Sequence, residues 1–528
     1  HVTGWKTGYV VAPPALEQWI DALQQLLGLE LKVSRKDQQQ FSFADIDSWE
    51  DLGIAEDNDL VFAQAKDPTV VLAAHPWLVV CERLAARQGF FHWELDFGSV
   101  FAHGGFDLQV GNPPWVRPMV DGDALLAEGD PWFQLANKPT QADVQAKRAA
   151  TLQLPGIREF VTDSAADTVA LGTFLSDQRQ YPHLVGLQPD MYRCFMEQTW
   201  LHMSAIGVVS LIHPESHFTD EKAGLLRQAT YGRLRRHWQF INELQFFEIG
   251  HQFVYGVHVY GTSQNPSFRT ASSLYHPDTV TRSLVHDGSG PEPGIKDDAG
   301  RWDLRPHRNR VIDVNDDILG IWKGVLETPD TPVRQTRMMY AVNRSVDAVL
   351  EKLAVAPRIS ELGPLFSPGW HEKNDREKGY FETEWGIPQS WDEVILQGPH
   401  IFVGTPLYKS PNPTLRSKGD WSATDFEKLA DDAIPATAYK PNERKQYNSD
   451  YTSWQVAEGT IHARECYRIA WRNMAANVGE RTLIPAVIPR GAAHIHGVSS
   501  IALPEQRFNW LAVIAAAASS LVADFARS

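Results

Sequence analysis

The sequence predicts a layered α/β domain followed by a second, mixed α+β domain. Three observations carry this. Helical and strand-like segments alternate between residues 187 and 262. The strand-like ones are short and rich in apolar residues. Beyond residue 263 the texture shifts to short strands, frequent Pro, Gly and Trp, and few long helices. A chain of 528 residues has room for roughly two to four domains.

The segments follow in order. Pro13-Pro14 precede Leu16, Trp19, Ile20, Leu23, Leu26 and Leu27, and Gly28 follows. That is the 3.6-residue period of a helix with a start and a stop, and residues 1–90 are read as mainly helical. Residues 45–59 are acidic and predicted to be exposed. Phe106-Asp107-Leu108-Gln109-Val110-Gly111 reads as a short buried strand entering a tight turn. Residues 120–186 read as a helical insertion. Residues 191–203 read as a helix, 206–212 as a strand, 221–236 as a helix, and 240–249 and 254–260 as strands. The predicted divisions are therefore 1–90, 91–262 with the insertion at 120–186, and 263–528.

Composition narrows the class. Hydrophobic residues make up 43% and charged residues 22%, as in ordinary soluble globular proteins. Cys81, Cys194 and Cys466 are far apart, which predicts a reducing, cytoplasmic setting. The formal charge of −16 argues against a protein that coats nucleic acid non-specifically, but not against a basic cleft on an acidic body. The apolar stretch 510–523 falls short of the ~20 residues a membrane span needs and predicts a buried helix. The abrupt start without Met and the abrupt end predict a piece of a longer polypeptide.

The chemistry concentrates in Asn112-Pro113-Pro114-Trp115. An exocyclic amine on an aromatic ring is a weak nucleophile, because its lone pair is delocalised. Two acceptors aimed at its N–H bonds, the Asn112 side-chain oxygen and the Pro113 carbonyl, would draw it toward sp³ character. Successive prolines fix φ and remove donors, leaving a stiff, acceptor-rich turn. Trp115 would stack on a planar base, worth roughly 1–3 kcal/mol. The proton can leave after transfer, so no general base is required. This predicts a methyl transfer to a planar amine with S-adenosyl-L-methionine as donor. A proline-rich turn after a strand is also a common loop device.

The stretch from Phe106 to Trp115 resembles motif IV of the gamma-type N6-adenine DNA methyltransferases. Phe90-Phe91-His92-Trp93-Glu94-Leu95-Asp96-Phe97, with Val100-Phe101 and Gly104-Gly105, is similar to the lead-in of large type IIG-like methylases. These include the phage-defence enzymes of the phage-growth-limitation, BREX and DISARM systems. Asp190-Met191-Tyr192-Arg193-Cys194-Phe195 and the stretch from Gly207 to Phe218 resemble the next helix start and strand. The resemblance covers most of 90–262 and extends weakly to the C-terminus. It implies a Rossmann-like class I methyltransferase core, incomplete at its N-terminus, with a target-recognition domain at 263–528. It also implies restriction–modification or phage defence as the setting, with duplex DNA and other defence-system subunits as partners. Adenine would be flipped out of the duplex to expose N6. Asn112 and Pro113 would hold N6, with Pro114 in the same motif. Trp115 would stack on the base and Tyr255 would pack its other side. Tyr255 equally suits a half-buried strand aromatic.

One departure stands out. The family's glycine-rich donor loop should precede Asn112, and nothing in 1–111 matches it. Gly288-Ser289-Gly290 reads as a plain loop. The donor loop lies upstream, is missing from the chain, or the protein only binds DNA.

The second domain carries basic clusters suited to phosphate contacts and base-edge readout. They are Arg301, Arg305, Arg308 and Arg310; Arg334, Arg337 and Arg344; Lys409, Arg416 and Lys418; and Lys440, Arg444 and Lys445. Residues 398–407 and 481–489 read as core strands. His494 and His496 lack the further ligands of a metal site, and no metal is predicted. No nuclease constellation is visible. A methyltransferase acting on RNA or a protein glutamine, and a non-catalytic DNA-recognition subunit, remain alternatives. The long second domain favours DNA.

Overall fold

The computed structural model describes residues 11–28, 61, 63–137, 139–415, 419–442, 446–456, 459–474, 481–503 and 507–527. The acidic stretch 45–59 and the basic residues Arg416, Lys418, Arg444 and Lys445 lie outside them. The chain divides into two compact units, His1–Leu350 and Glu351–Ser528.

The first unit is mixed α/β. Its helices Leu16–Leu27, Pro68–Ala74 and Pro76–Gln88 pack through Ala22, Val71, Trp77 and Leu78. Its sheet has strands β1 (Phe106–Gly111), β2 (Met203–Pro214), β3 (Leu234–Ile241), β4 (Val254–Tyr260), β5 (Ser267–Leu274) and β6 (Ile312–Asn315). Their order is β1-β2-β4-β3-β5-β6. β1 runs parallel to β2, and β3 to β5. β4 is antiparallel to β2 and β3, and β6 to β5. Thus β1, β2, β3 and β5 share one direction. The insertion between β1 and β2 is helical as expected, with Gln141–Thr151 and Ile157–Leu175 its longest helices.

Three expectations are corrected. The boundary at 262/263 moves to 350/351, because β5 and β6 extend the same sheet. The Ser- and Thr-rich β5 and the Pro/Gly-rich connection to β6 disguised that continuation. The expected strand 240–249 is β3 at Leu234–Ile241. Arg235 and Arg236 at its start fall in the helix expected at 221–236, whereas the helix Gly224–Arg233 ends at Leu234, whose ψ of 138° is extended. Finally, β1 is not buried. It is an edge strand with Leu108 65% and Val110 75% exposed.

Gly105 sets the entry into β1. Its φ is +110°, and a Cβ there would lie 2.5 Å from the His202 carbonyl oxygen. Backbone cannot yield as a flexible side chain can. Gly105→Ala is expected to cost roughly 2–4 kcal/mol of stability. A urea midpoint unchanged by the substitution would refute this reading of the turn.

The second unit is built on a four-stranded antiparallel sheet, in the order Pro485–Ile488, Arg468–Arg472, Val498–Ala502, Leu365–Ser367. One core gathers Trp370, Phe381, Ile395, Tyr439, Tyr447 and Tyr451. Two buried arginines are used structurally: Arg464 lies over Tyr447 and donates to Gly491 O, and Arg468 lies over Tyr451 and donates to Ala492 O. The strand expected within 481–489 forms. Residues 398–407 instead make a 3₁₀ turn, Gly398–His400, and a single bridge between Phe402 and Thr405. The apolar C-terminal stretch is the helix Phe508–Ala518, which buries Leu511 and Ile514. Among the described residues no single helix is long and apolar enough to cross a membrane.

Candidate active site at the carboxyl end of the sheet

β1 ends at Gly111, which pairs with Leu211 of β2. The chain then leaves the sheet through the Asn-Pro-Pro-Trp turn. Pro113 is buried, whereas Asn112 and Pro114 are exposed. The Asn112 amide has no partner among the described residues. Trp115 is half-buried and donates its Nε1–H to the Ile212 carbonyl at 3.2 Å. The turn therefore sits outside the carboxyl ends of two parallel strands, the position where open α/β sheets place their ligands.

The structure brings Tyr255 to Trp115. Their ring centroids are 6.0 Å apart with planes 30° apart, and Phe247 touches both. Tyr255 is only 4% exposed and also stacks on Phe240. The two rings are within direct packing range, with no gap for a base between them. The second stacking platform expected of Tyr255 is here a buried support behind Trp115.

A clamp that the sequence reading missed joins the turn to the next helix. Arg117 Nε donates to Asp190 Oδ2 at 3.1 Å, and Met191 N to Val116 O at 3.0 Å. The two motifs are 73 residues apart, and a lone Arg gives no local signal of so distant a partner. The following residues form a second network. Tyr192 Oη lies 2.9 Å from Ser216 Oγ, while Arg193 donates to both oxygens and pairs with Asp220. This fixes the loop after β2 that resembles the family's Pro-x-Ser-x-Phe segment.

Against the same strands lies a layer of four buried histidines, also missed. His213, His217, His237 and His258 have no exposure. The rings of His213 and His258 stack at 3.8 Å, and those of His237 and His258 at 4.8 Å. Gly256 makes room for them, since a Cβ there would run into the His258 and His237 rings. His213 donates from Nδ1 to Pro214 O at 2.7 Å, and its Nε2 lies 2.9 Å from the Tyr260 hydroxyl, bonds that a neutral ring satisfies with Nε2 accepting. Burial lowers His213 and His237 to about 3 and pushes His217 and His258 well below the ordinary value. Beside them burial raises Glu215 to about 7, although it accepts from Gln239 at 2.8 Å. A histidine at an alternating strand position, as in Val257-His258-Val259, was the available signal.

The basic clusters are largely engaged internally. Arg301 pairs with Asp297, Arg305 with Asp303, Arg334 with Asp316, Arg337 with Glu327 and Arg344 with Asp313. Arg310 is 1% exposed and donates to the carbonyls of Arg305 and Asp303, which removes it from any surface contact. Arg308 is exposed. All of these lie in the first unit, not the second. In the second unit Lys409 lies over the Tyr408 ring and Lys440 pairs with Glu384. Arg235 and Arg236, not singled out from sequence, line an open cleft with Arg269 and Asp313. His494 is buried and bonded to Ser500 Oγ at 2.8 Å.

Asn112, Pro113 and Trp115 place two acceptors and a ring together at the end of β1. The described residues do not fit a methyl donor. Among the described residues no glycine-rich strand–turn–helix stands before Asn112, and Gly104 and Gly105 serve only the turn into β1.

No family model matches the chain, and no curated protein matches it significantly. Among solved structures it is similar to the methyltransferase subunit of a type I restriction–modification system from Streptococcus thermophilus. The identity is 14% over 24% of this chain and 26% of that chain, with a TM-score of 0.17. It is also similar to the type IIG restriction endonuclease BpuSI, at 12% identity over 79% of this chain and 43% of that one, with a TM-score of 0.25. A third is the ATP-dependent type ISP restriction–modification enzyme LlaBIII bound to DNA, at 10% identity over 74% and 23%, with a TM-score of 0.22. The chain spans less than half the length of each of these restriction–modification enzymes.

Proposed function

We propose that this chain carries the target-base half of a site-specific adenine N6 DNA methyltransferase of a restriction–modification or phage-defence system. The observation that carries the reading is the exposed Asn112 amide at the carboxyl end of β1, unengaged among the described residues and followed by buried Pro113 and the anchored Trp115. In this reading Asn112 and the Pro113 carbonyl accept from the N6 amino group of a flipped adenine. Trp115 stacks on the base, and the Arg117–Asp190 pair keeps the turn in place. S-adenosyl-L-methionine, when bound, supplies the methyl group. The separate unit 351–528 has the size and independent core suited to reading DNA sequence.

The flipped-base step is tested with duplex DNA carrying 2-aminopurine at the target position. Trp115→Ala is expected to reduce trapping of the extruded base by about tenfold or more, the loss of one stacked ring. Phosphate-driven binding should fall by less. Equal losses in the two readouts would point to a non-catalytic DNA-recognition subunit. No binding to duplex DNA would point to an RNA or protein amine as substrate.

A further inference from the structure

A basic cleft opens at the amino ends of β3 and β5, away from the Asn-Pro-Pro-Trp turn. Its charged lining is Arg235, Arg236, Arg269 and a single carboxylate, Asp313. Its volume is about 460 Å³, within the range of small-ligand sites. In a chain of formal charge −16, three arginines against one acid reverse the local sign.

The backbone gathers these arginines. Consecutive strand residues ordinarily face opposite ways. Between Leu234 and Arg236, however, two residues of β3 advance against one of β4, a bulge that lets both Arg235 and Arg236 line the cleft. Arg235 is held in place. Its Nη1 donates to the carbonyls of Arg233 and Leu234 at 3.0 and 3.2 Å, and its Nη2 to Thr262 O at 2.5 Å. On the next strand Arg269 pairs in register with Arg236, and like charges so placed repel. Asp313 relieves only part of this. It accepts from Arg269 Nε at 3.0 Å and is also bound by Arg344. Asp316, in the helix after β6, is taken by Arg334 through both oxygens. The Arg236 guanidinium is exposed and has no partner among the described residues.

We propose that this cleft is a phosphate site for a ligand carrying two or more adjacent phosphate groups. Guanidinium forks match phosphate oxygens in paired hydrogen bonds. The free Arg236 fork and the Arg269 nitrogens not bound to Asp313 would share such a ligand, beside the fixed charge of Arg235. A ligand with one negative charge would leave most of this lining uncompensated. The phosphates belong either to a small di- or triphosphate or to successive nucleotides of a nucleic-acid strand, and one experiment separates these. The inference stands apart from methyl transfer.

The test compares the unaltered chain with Arg236→Ala and with Arg301→Ala. The second removes the same charge from an exposed pair with Asp297, outside the cleft. Pyrophosphate binding is read by calorimetry, and binding to a mixed-sequence duplex by fluorescence anisotropy over a range of salt. If the ligand is small, Arg236→Ala lowers pyrophosphate affinity about tenfold or more, the loss of one charge-assisted pair, and leaves duplex affinity unchanged. If the ligand is a nucleic-acid strand, Arg236→Ala weakens duplex binding and reduces the salt slope by about one. In either case Arg301→Ala should stay within about twofold of the unaltered chain. Arg236 is exposed and breaks no described bond when removed, so circular dichroism should not change. Equal losses in the two variants, no effect of Arg236→Ala on either readout, or no binding of either probe would overturn the proposal.

Discussion

Asn112→Ala is expected to lower methyl transfer by about 10²–10³-fold, the loss that follows removal of one preorganised hydrogen-bonding group from a reacting centre. The argument is local. The Asn112 amide is exposed and engages no described residue, so its removal breaks no internal bond. The strand before it is fixed by pairing with β2, and Trp115 after it by its bond to Ile212. Folding and DNA affinity should therefore stay near wild type while turnover collapses. Single-turnover kinetics separates the two, because a group acting at the reacting amine changes the chemical step more than binding. Near-normal single-turnover rates in this variant would sink the assignment of Asn112.

Acidification is expected to unfold the first unit between about pH 6.5 and pH 4.5, and the sign follows from the buried histidines. In the unfolded chain they titrate near 6.5. In the folded chain burial lowers His213 and His237 to about 3 and holds His217 and His258 well below the ordinary histidine value. Below pH 6.5 the unfolded chain takes up protons that the folded one refuses, so stability falls with pH. Each such proton contributes on the order of 1.4 kcal/mol per pH unit. Four together, less the one proton of Glu215, lose about 8 kcal/mol over two units, within the typical total stability of about 5–15 kcal/mol. Glu215, raised to about 7, works the other way. Its protonated form favours the folded state, and that contribution is fully present below the ordinary carboxyl value and lost as pH rises through 7. It carries one proton against four, so the histidines win. Tryptophan fluorescence and circular dichroism followed against pH would read the transition. A unit still folded at pH 4 would contradict the neutral histidine layer.

Where the sequence was legible, short-range pattern decided the outcome. β4 and the helix Leu16–Leu27 follow from alternation and from the 3.6 period, and the Asn-Pro-Pro-Trp turn from its residue types. What was missed depends on partners distant in the chain. β3 carries Arg235, Arg236 and His237 near its start, and only His237 is buried, in a strand flanked by β4 and β5. β5 is Ser- and Thr-rich and is a strand because it lies between β3 and β6. Arg117 gains meaning only from Asp190, and Tyr255 is a core residue because Phe240, Phe247 and Trp115 surround it. The basic clusters looked like a DNA face because their carboxylate partners lie from two to 56 residues away. Conversely, the apolar β1 reads as buried, whereas its place at the edge of the sheet leaves Leu108 and Val110 exposed.

The most direct test of the central claim is nucleoside analysis of duplex DNA. The DNA is incubated with S-adenosylmethionine and the protein isolated from its source, in parallel with Asn112→Ala. The account predicts N6-methyldeoxyadenosine at one sequence context with the unaltered protein and a loss of about 10²-fold or more with the variant. Methyl groups found only on cytosine, RNA or protein, or none in DNA from a protein that binds it normally, would contradict it.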